Sequence, residues 1–151
     1  MQNAAAARAR FLADAVATAS PAKLLTMLYD RLVLDLSRAE RAQEAGDRAV
    51  ANSQLQHAQD VVTELHSSLD TSGTWAGAAG LAGLYTFLAS ELVEANVTGD
   101  PARTASCRAI VEPLRDAWHA AAQQTATPSS AVPAQRAASS APVGGLLSVS
   151  A

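Results

Sequence analysis

Residues 20–46 read SPAKLLTMLYDRLVLDLSRAERAQEAG, and this stretch decides the fold. Ser20-Pro21 is a helix start: the serine oxygen can accept from a free backbone N–H, and a proline at the first helical position gives up only an N–H that had no partner. Leu25, Leu28, Leu32, Leu36, Ala39 and Ala42 then recur every three or four residues, with Leu24, Tyr29 and Val33 widening the apolar stripe. Gly46 suits the left-handed position that ends a helix. The spacing predicts one helix of about 25 residues, roughly 37 Å long at 1.5 Å per residue.

The same punctuation continues downstream. Asp47 can cap a second helix whose seam, Leu55, Ala58, Val62, Leu65 and Leu69, has the period of a helix bundle. The polar, glycine-rich run DTSGTWAGAAG, residues 70–80, is expected to be a connection. A third stripe follows in Leu81, Leu84, Tyr85, Leu88, Leu92 and Ala95, closed by residues 96–99, with a soft entry expected at Gly80 and Gly83. Asp100-Pro101 repeats the cap-then-proline start, and Cys107, Val111, Leu114 and Trp118 form the fourth stripe. Pro113 lies inside it and is expected to kink that helix or divide it in two.

No single stripe can hide its apolar face alone, so the simplest solution is all-α: an antiparallel up-down four-helix bundle with a short N-terminal helical segment and a disordered C-terminal tail. The expected division is 1–17 as a mobile N-terminal segment, 18–123 as the bundle and 124–151 as the tail, which is rich in Ala, Ser and Pro.

Composition narrows the function. The 151 residues suffice for one core and carry a formal charge of −3 with a pI near 5.5, which provides no basic field for a phosphate backbone. Nucleic acid is not an expected partner. Cys107 is the only cysteine, so no intrachain disulfide can form, and a reducing cytosol fits. Arg8, Arg10 and Asp14 interrupt the N-terminal apolar run, which excludes a secretory signal, and no stretch approaches the ~18 apolar residues of a membrane span. Direct membrane insertion is not expected.

The sequence carries no catalytic pattern. His57, His66 and His119 do not pair at ligand spacing, and the Glu-x-x-His repeat of a bundle metal site is missing. They read as solvated or capping residues. Glu91 and Glu94 read as water-facing, and Cys107 as a small buried hydrophobe. The glycines between residues 73 and 83 follow no strand and lack the Gly-Lys-Ser/Thr ending of a phosphate loop. No enzyme, metal or cofactor is expected.

Four segments, in order, resemble FliS-type flagellin export chaperones. VATASPAKLLTMLYDRLVLDLSRAE, residues 16–40, is similar to the family's T-A-S/T-P opening and the following K/E-L-x-x-M-L-Y, through Ser20, Pro21, Leu24, Met27, Leu28 and Tyr29. LQHAQDVVTELHSSLD matches the next stretch through Ala58, Gln59, Glu64, Leu65, Leu69 and Asp70. LYTFLASELVEAN follows through Leu84, Tyr85, Leu92, Ala95 and Asn96, and LRDAW through Leu114, Arg115, Ala117 and Trp118. Phe11 stands where the family has an N-terminal tyrosine.

The resemblance implies a cytoplasmic chaperone that binds the C-terminal region of flagellin, prevents its premature polymerisation and delivers it to the flagellar type III export apparatus, including the gate component FlhA. The alternative is a helical adaptor or secretion chaperone for another protein. The partner-binding positions it suggests are Ser20, Pro21, Leu24, Leu28, Tyr29, Tyr85, Ala95, Asn96 and Trp118. Phe11 and Leu12 join them on the N-terminal segment, which is expected to be helical only when docked as a lid over a client groove. Surplus apolar surface also admits self-association.

Overall fold

The structure, a computed structural model, describes residues 2–18, 20–70, 72 and 75–125. Among them are five helices and no strand: α1 Gln2–Thr18, α2 Pro21–Glu44, α3 Arg48–Ser68, α4 Gly77–Thr98 and α5 Pro101–Thr125. Of the expected tail, Gln124 and Thr125 complete α5, and residues 126–151 lie outside the described residues.

The helix ends follow from local chemistry. Ser20 Oγ accepts from the Lys23 N–H at 3.2 Å, and Pro21 occupies the first turn. At the other end Gly46, at φ 73°, donates to Gln43 O while the Asp47 N–H reaches Ala42 O at 2.8 Å. These are the paired bonds of a Schellman ending, which satisfy carbonyls that the helix leaves free. Asp47 then caps α3 by accepting from Val50 N. Asp100 caps α5 through Ala102 N, with Pro101 again in first place.

Helices α2 to α5 close into a ring in which α2 packs on α3 and α5, and α4 packs on α3 and α5. Cross-links give the directions. Asp30 meets His119, Glu40 meets Arg108 and Gln43 meets Thr104, so numbers rise along α2 as they fall along α5. Asn52 with Asn96 and His66 with Tyr85 run α3 against α4, and Glu91 with Arg103 runs α4 against α5. Each neighbouring pair is antiparallel, as expected of an up-down bundle. The core joins Leu32, Leu36, Leu55, Leu65, Leu88, Leu92 and Val111 from all four helices.

Three local expectations are corrected. Of the two alternatives at Pro113, division is overturned: α5 runs through it as one helix. Both Pro113 and Ala109, whose carbonyl loses its intrahelical partner, are exposed, so water can satisfy that carbonyl. The connection 70–80 is shorter than expected, because α4 begins at Gly77. Ala76 offers no side-chain cap there, and Ala78 N donates to Trp75 O. Finally, α1 is helical without lying on the bundle: its described side chains, residues 3–14, are all exposed. Alanine-rich sequence forms helix at little entropic cost, and 17 residues exceed the marginal length of about 12–15.

Candidate functional site

Trp118 organises the surface at the end of the bundle where α2 begins and α5 ends. Its ring lies 6.4 Å from Tyr29, tilted by 43°, and 6.2 Å from Trp75 in an edge-on arrangement of 63°. Trp75 reaches this place because the chain before α4 folds its indole back over Gly77. A Cβ at Gly77 would stand 2.5 Å from that ring, so any larger residue displaces it. A glycine of the connecting run thus sets the position of an exposed tryptophan.

Two open grooves flank Trp118. The first, between α4 and α5, has a volume of about 440 Å³ and is lined by Trp75, Leu81, Leu84, Leu114 and Trp118 with small residues between them. The second, between α2 and α5, has about 340 Å³ and is lined by Pro21, Ala22, Leu25 and the other side of Trp118. Neither lining contains a charged side chain. Helix α4 extends the apolar surface outward, with Phe87, Val93 and Val97 exposed on the side away from the core. A helix that is apolar both inward and outward expects cover on both sides.

Beneath Trp118 the two buried tyrosines join α2 to α4 across the core, Tyr29 Oη to Tyr85 Oη at 2.7 Å. Burial pushes the Tyr85 hydroxyl far above its ordinary value, with the bond to Tyr29 adding to it. The bond ties two diagonal helices of the ring.

The sequence-derived positions divide accordingly. Pro21, Tyr29, Tyr85 and Trp118 come together at this end, with Ser20 on the rim and Leu24 and Leu28 half-buried beside them. Ala95 and Asn96 lie at the opposite end: Ala95 O accepts from Gln43, and Asn96 donates to Asn52. Asn96 lines a polar depression of about 500 Å³ there, and Ala95 is sealed in the core, so neither reaches the grooves. Phe11, 72% exposed, and Leu12, 51% exposed, remain on α1 and cover neither groove. Trp75 and Phe87 were hidden from sequence reasoning, one inside a glycine-rich run and the other on the outward side of a stripe.

Among the described residues no three His, Cys, Asp or Glu side chains converge as metal ligands. His57 and His119 are partly exposed and bond to Asp35 and Asp30. Glu91 is half-buried against Arg103, while Glu94 faces water. Arg108 is held by Glu40 and Glu112 and leaves Cys107 unactivated. Burial, and after it the charge of Glu91, pushes the Cys107 thiol up to about 11 from 9.0. The thiolate fraction at pH 8 should therefore be about 100-fold below that of a free thiol. Maleimide labelling of the native protein should be slower than labelling of the urea-unfolded chain by at least that factor. Equal rates would mean that Cys107 is open to solvent.

Over residues 1–125 the chain matches the family described as flagellar protein FliS. A flagellar secretion chaperone FliS from Bacillus subtilis (strain 168) is 31% identical over 110 residues, covering 73% of this chain and 81% of the relative. Its namesake from Escherichia coli (strain K12) is 28% identical, covering 70% and 78%. The solved structure of a bacterial flagellar chaperone superposes with a TM-score of 0.64 at 19% identity, over 78% of this chain and 96% of the other, and so shares the fold.

Proposed function

This chain belongs to the FliS family, and from that premise we propose that it binds the C-terminal region of flagellin, keeps it from polymerising and hands it to the flagellar export apparatus. The observation that carries the reading is the pair of uncharged grooves flanking Trp118, to which α4 adds exposed Phe87, Val93 and Val97. An unfolded segment can lay amphipathic helices into such grooves, with leucine and aromatic anchors at helical spacing. The segment loses chain entropy as it orders, which keeps affinity moderate for the area buried and allows release. Holding a client in this way needs no catalytic group, metal or nucleotide.

Helix α1 supports the delivery step. Phe11 and Leu12 project from a helix outside the grooves, so they are free to touch a second protein while the grooves are filled, and the export gate component FlhA is the partner this reading assigns to them. No helix among the described residues is long and apolar enough to cross a membrane, which suits a chaperone meeting new flagellin in the cytoplasm. The same apolar surface supports self-association when the client is absent.

The deciding experiment is co-purification with flagellin from the same cell, intact and lacking its C-terminal segment. Intact flagellin should be retained and the truncated form lost, and titration calorimetry should give a negative heat-capacity change as apolar surface is buried. Equal retention of both forms would move the binding site elsewhere on flagellin. Retention of neither would make this chain an adaptor for another protein.

A further inference from the structure

The solvent-facing ridge of α2 is basic. At about 3.6 residues per turn, Lys23, Met27, Arg31, Leu34, Arg38 and Arg41 fall on one row along the helix, opposite the buried Tyr29, Leu32 and Leu36. All of them but the half-buried Met27 are exposed. The row is about 27 Å long and holds no carboxylate.

Every arginine of α5 meets an acidic side chain: Arg103 meets Glu91, Arg108 meets Glu40 and Glu112, and Arg115 meets Asp116. On the α2 ridge only Arg31 does, through Asp35. Lys23 and Arg38 have no carboxylate partner among the described residues, and Arg41 turns back to the Ser37 carbonyl of its own helix. Arg38 and Arg41, one turn apart, therefore repel each other on a chain whose formal charge is −3. An anionic partner relieves that repulsion. Met27 and Leu34 lie between the cations, and Leu34 is 38% exposed, so the ridge also offers apolar surface flanked by the aliphatic stems of Lys and Arg.

We infer that this ridge docks an acidic amphipathic helix of another protein, with Asp or Glu side chains set against Lys23, Arg38 and Arg41 and an apolar row against Met27 and Leu34. Charge complementarity selects the sign of the partner, and the narrowness of the ridge selects its shape. Asp30 and Glu44 are exposed on the adjoining side of α2, so a flat anionic membrane would meet carboxylates together with the cations. A single helix touches the row alone. None of the ridge cations lines either groove at Trp118, which leaves the ridge open whether or not the grooves are filled.

The test uses the full-length protein and a fluorescently labelled, capped, alanine-based peptide that carries glutamates around leucines on one helical face. Anisotropy should report binding that weakens by about ten-fold or more as salt rises from about 50 to about 300 mM, because exposed charges are screened. Arg38→Glu with Arg41→Glu should weaken it by about ten-fold, Arg38→Gln with Arg41→Gln by about three-fold, and Leu34→Ser by about three-fold. Arg103→Glu with Arg115→Glu makes the same change in net charge away from the ridge and should cost less than about two-fold. A peptide of the same composition with its glutamates spread around the helix should bind at least about five-fold more weakly. Equal losses from the two pairs of charge reversals, or equal affinity for the two peptides, would overturn the inference. So would phosphatidylglycerol vesicles that hold the protein more tightly than the peptide does and lose it on Arg38→Glu with Arg41→Glu, which would assign the ridge to a membrane. The substituted side chains are exposed, and the readout is independent of whether flagellin is the client.

Discussion

Leu65→Ala is expected to lower the free energy of unfolding by about 2–5 kcal/mol, and Leu28→Ala by clearly less. Both leucines lie on apolar stripes and look equivalent in the sequence, but they differ in what surrounds them. Leu65 is 1% exposed and belongs to the cluster formed by all four bundle helices. Its loss leaves a void that close-packed neighbours cannot collapse to fill. Leu28 packs on the margin of that cluster and is half-buried, so solvent and the mobile ends of nearby side chains can take its place. For a domain of this size each kcal/mol moves the melting temperature by about 4–8 °C, so far-UV circular dichroism resolves the two variants easily. Equal losses would show that Leu28 is as enclosed as Leu65.

Removing both partners of Asp35, as Arg31→Ala with His57→Ala, is expected to cost about 3 kcal/mol, whereas Asp35→Leu should cost no more than about 1 kcal/mol. Asp35 is 0% exposed, accepts from Arg31 Nε at 3.0 Å through one carboxylate oxygen and bonds to His57 Nδ1 through the other. Taking the partners away leaves a buried carboxylate with neither hydrogen bond. Taking the carboxylate away leaves Arg31 and His57, both about half exposed, to be solvated by water. The cost is placed at the low end of the range for broken buried pairs because solvent already screens those two side chains. Urea titration of the three proteins checks this. A larger loss for Asp35→Leu than for the double variant would mean that the linkage itself holds α2 to α3, rather than merely satisfying a charge.

What could be read without coordinates was set by short-range chemistry. The caps at Ser20, Asp47 and Asp100 and the left-handed Gly46 act within about one helical turn, so neighbouring letters contain all the partners they need. Tyr29, Tyr85 and Trp118 could be singled out by their stripes and by family resemblance, and they meet at one end of the bundle. Asp35 is buried beside Leu32, Val33 and Leu36, which its neighbours in the sequence do not reveal. Its partner His57 is on another helix, and only the register of α2 against α3 brings the two together. Trp75 was lost in residues that read as a connection, since its place depends on the space above Gly77 and on the edge of Trp118.

Periodicity and caps by themselves determined the number of bundle helices, their approximate bounds, their inward stripes and the up-down order, because short connections between amphipathic helices leave few other arrangements. Tertiary structure decided which apolar residues are core and which remain as surface. A stripe specifies only that a side needs cover, and the width of the neighbouring helix determines how much it receives. Gly77, Gly80, Ala117 and Ala121 hold too little side chain to fill the space between α4 and α5, so Leu84 and Trp118 line an open groove while Leu88 and Val111, in the same two stripes, are sealed. The outward side of α4 and residues 3–14 of α1 receive no cover from the bundle, because a ring of four helices has no fifth position to offer them.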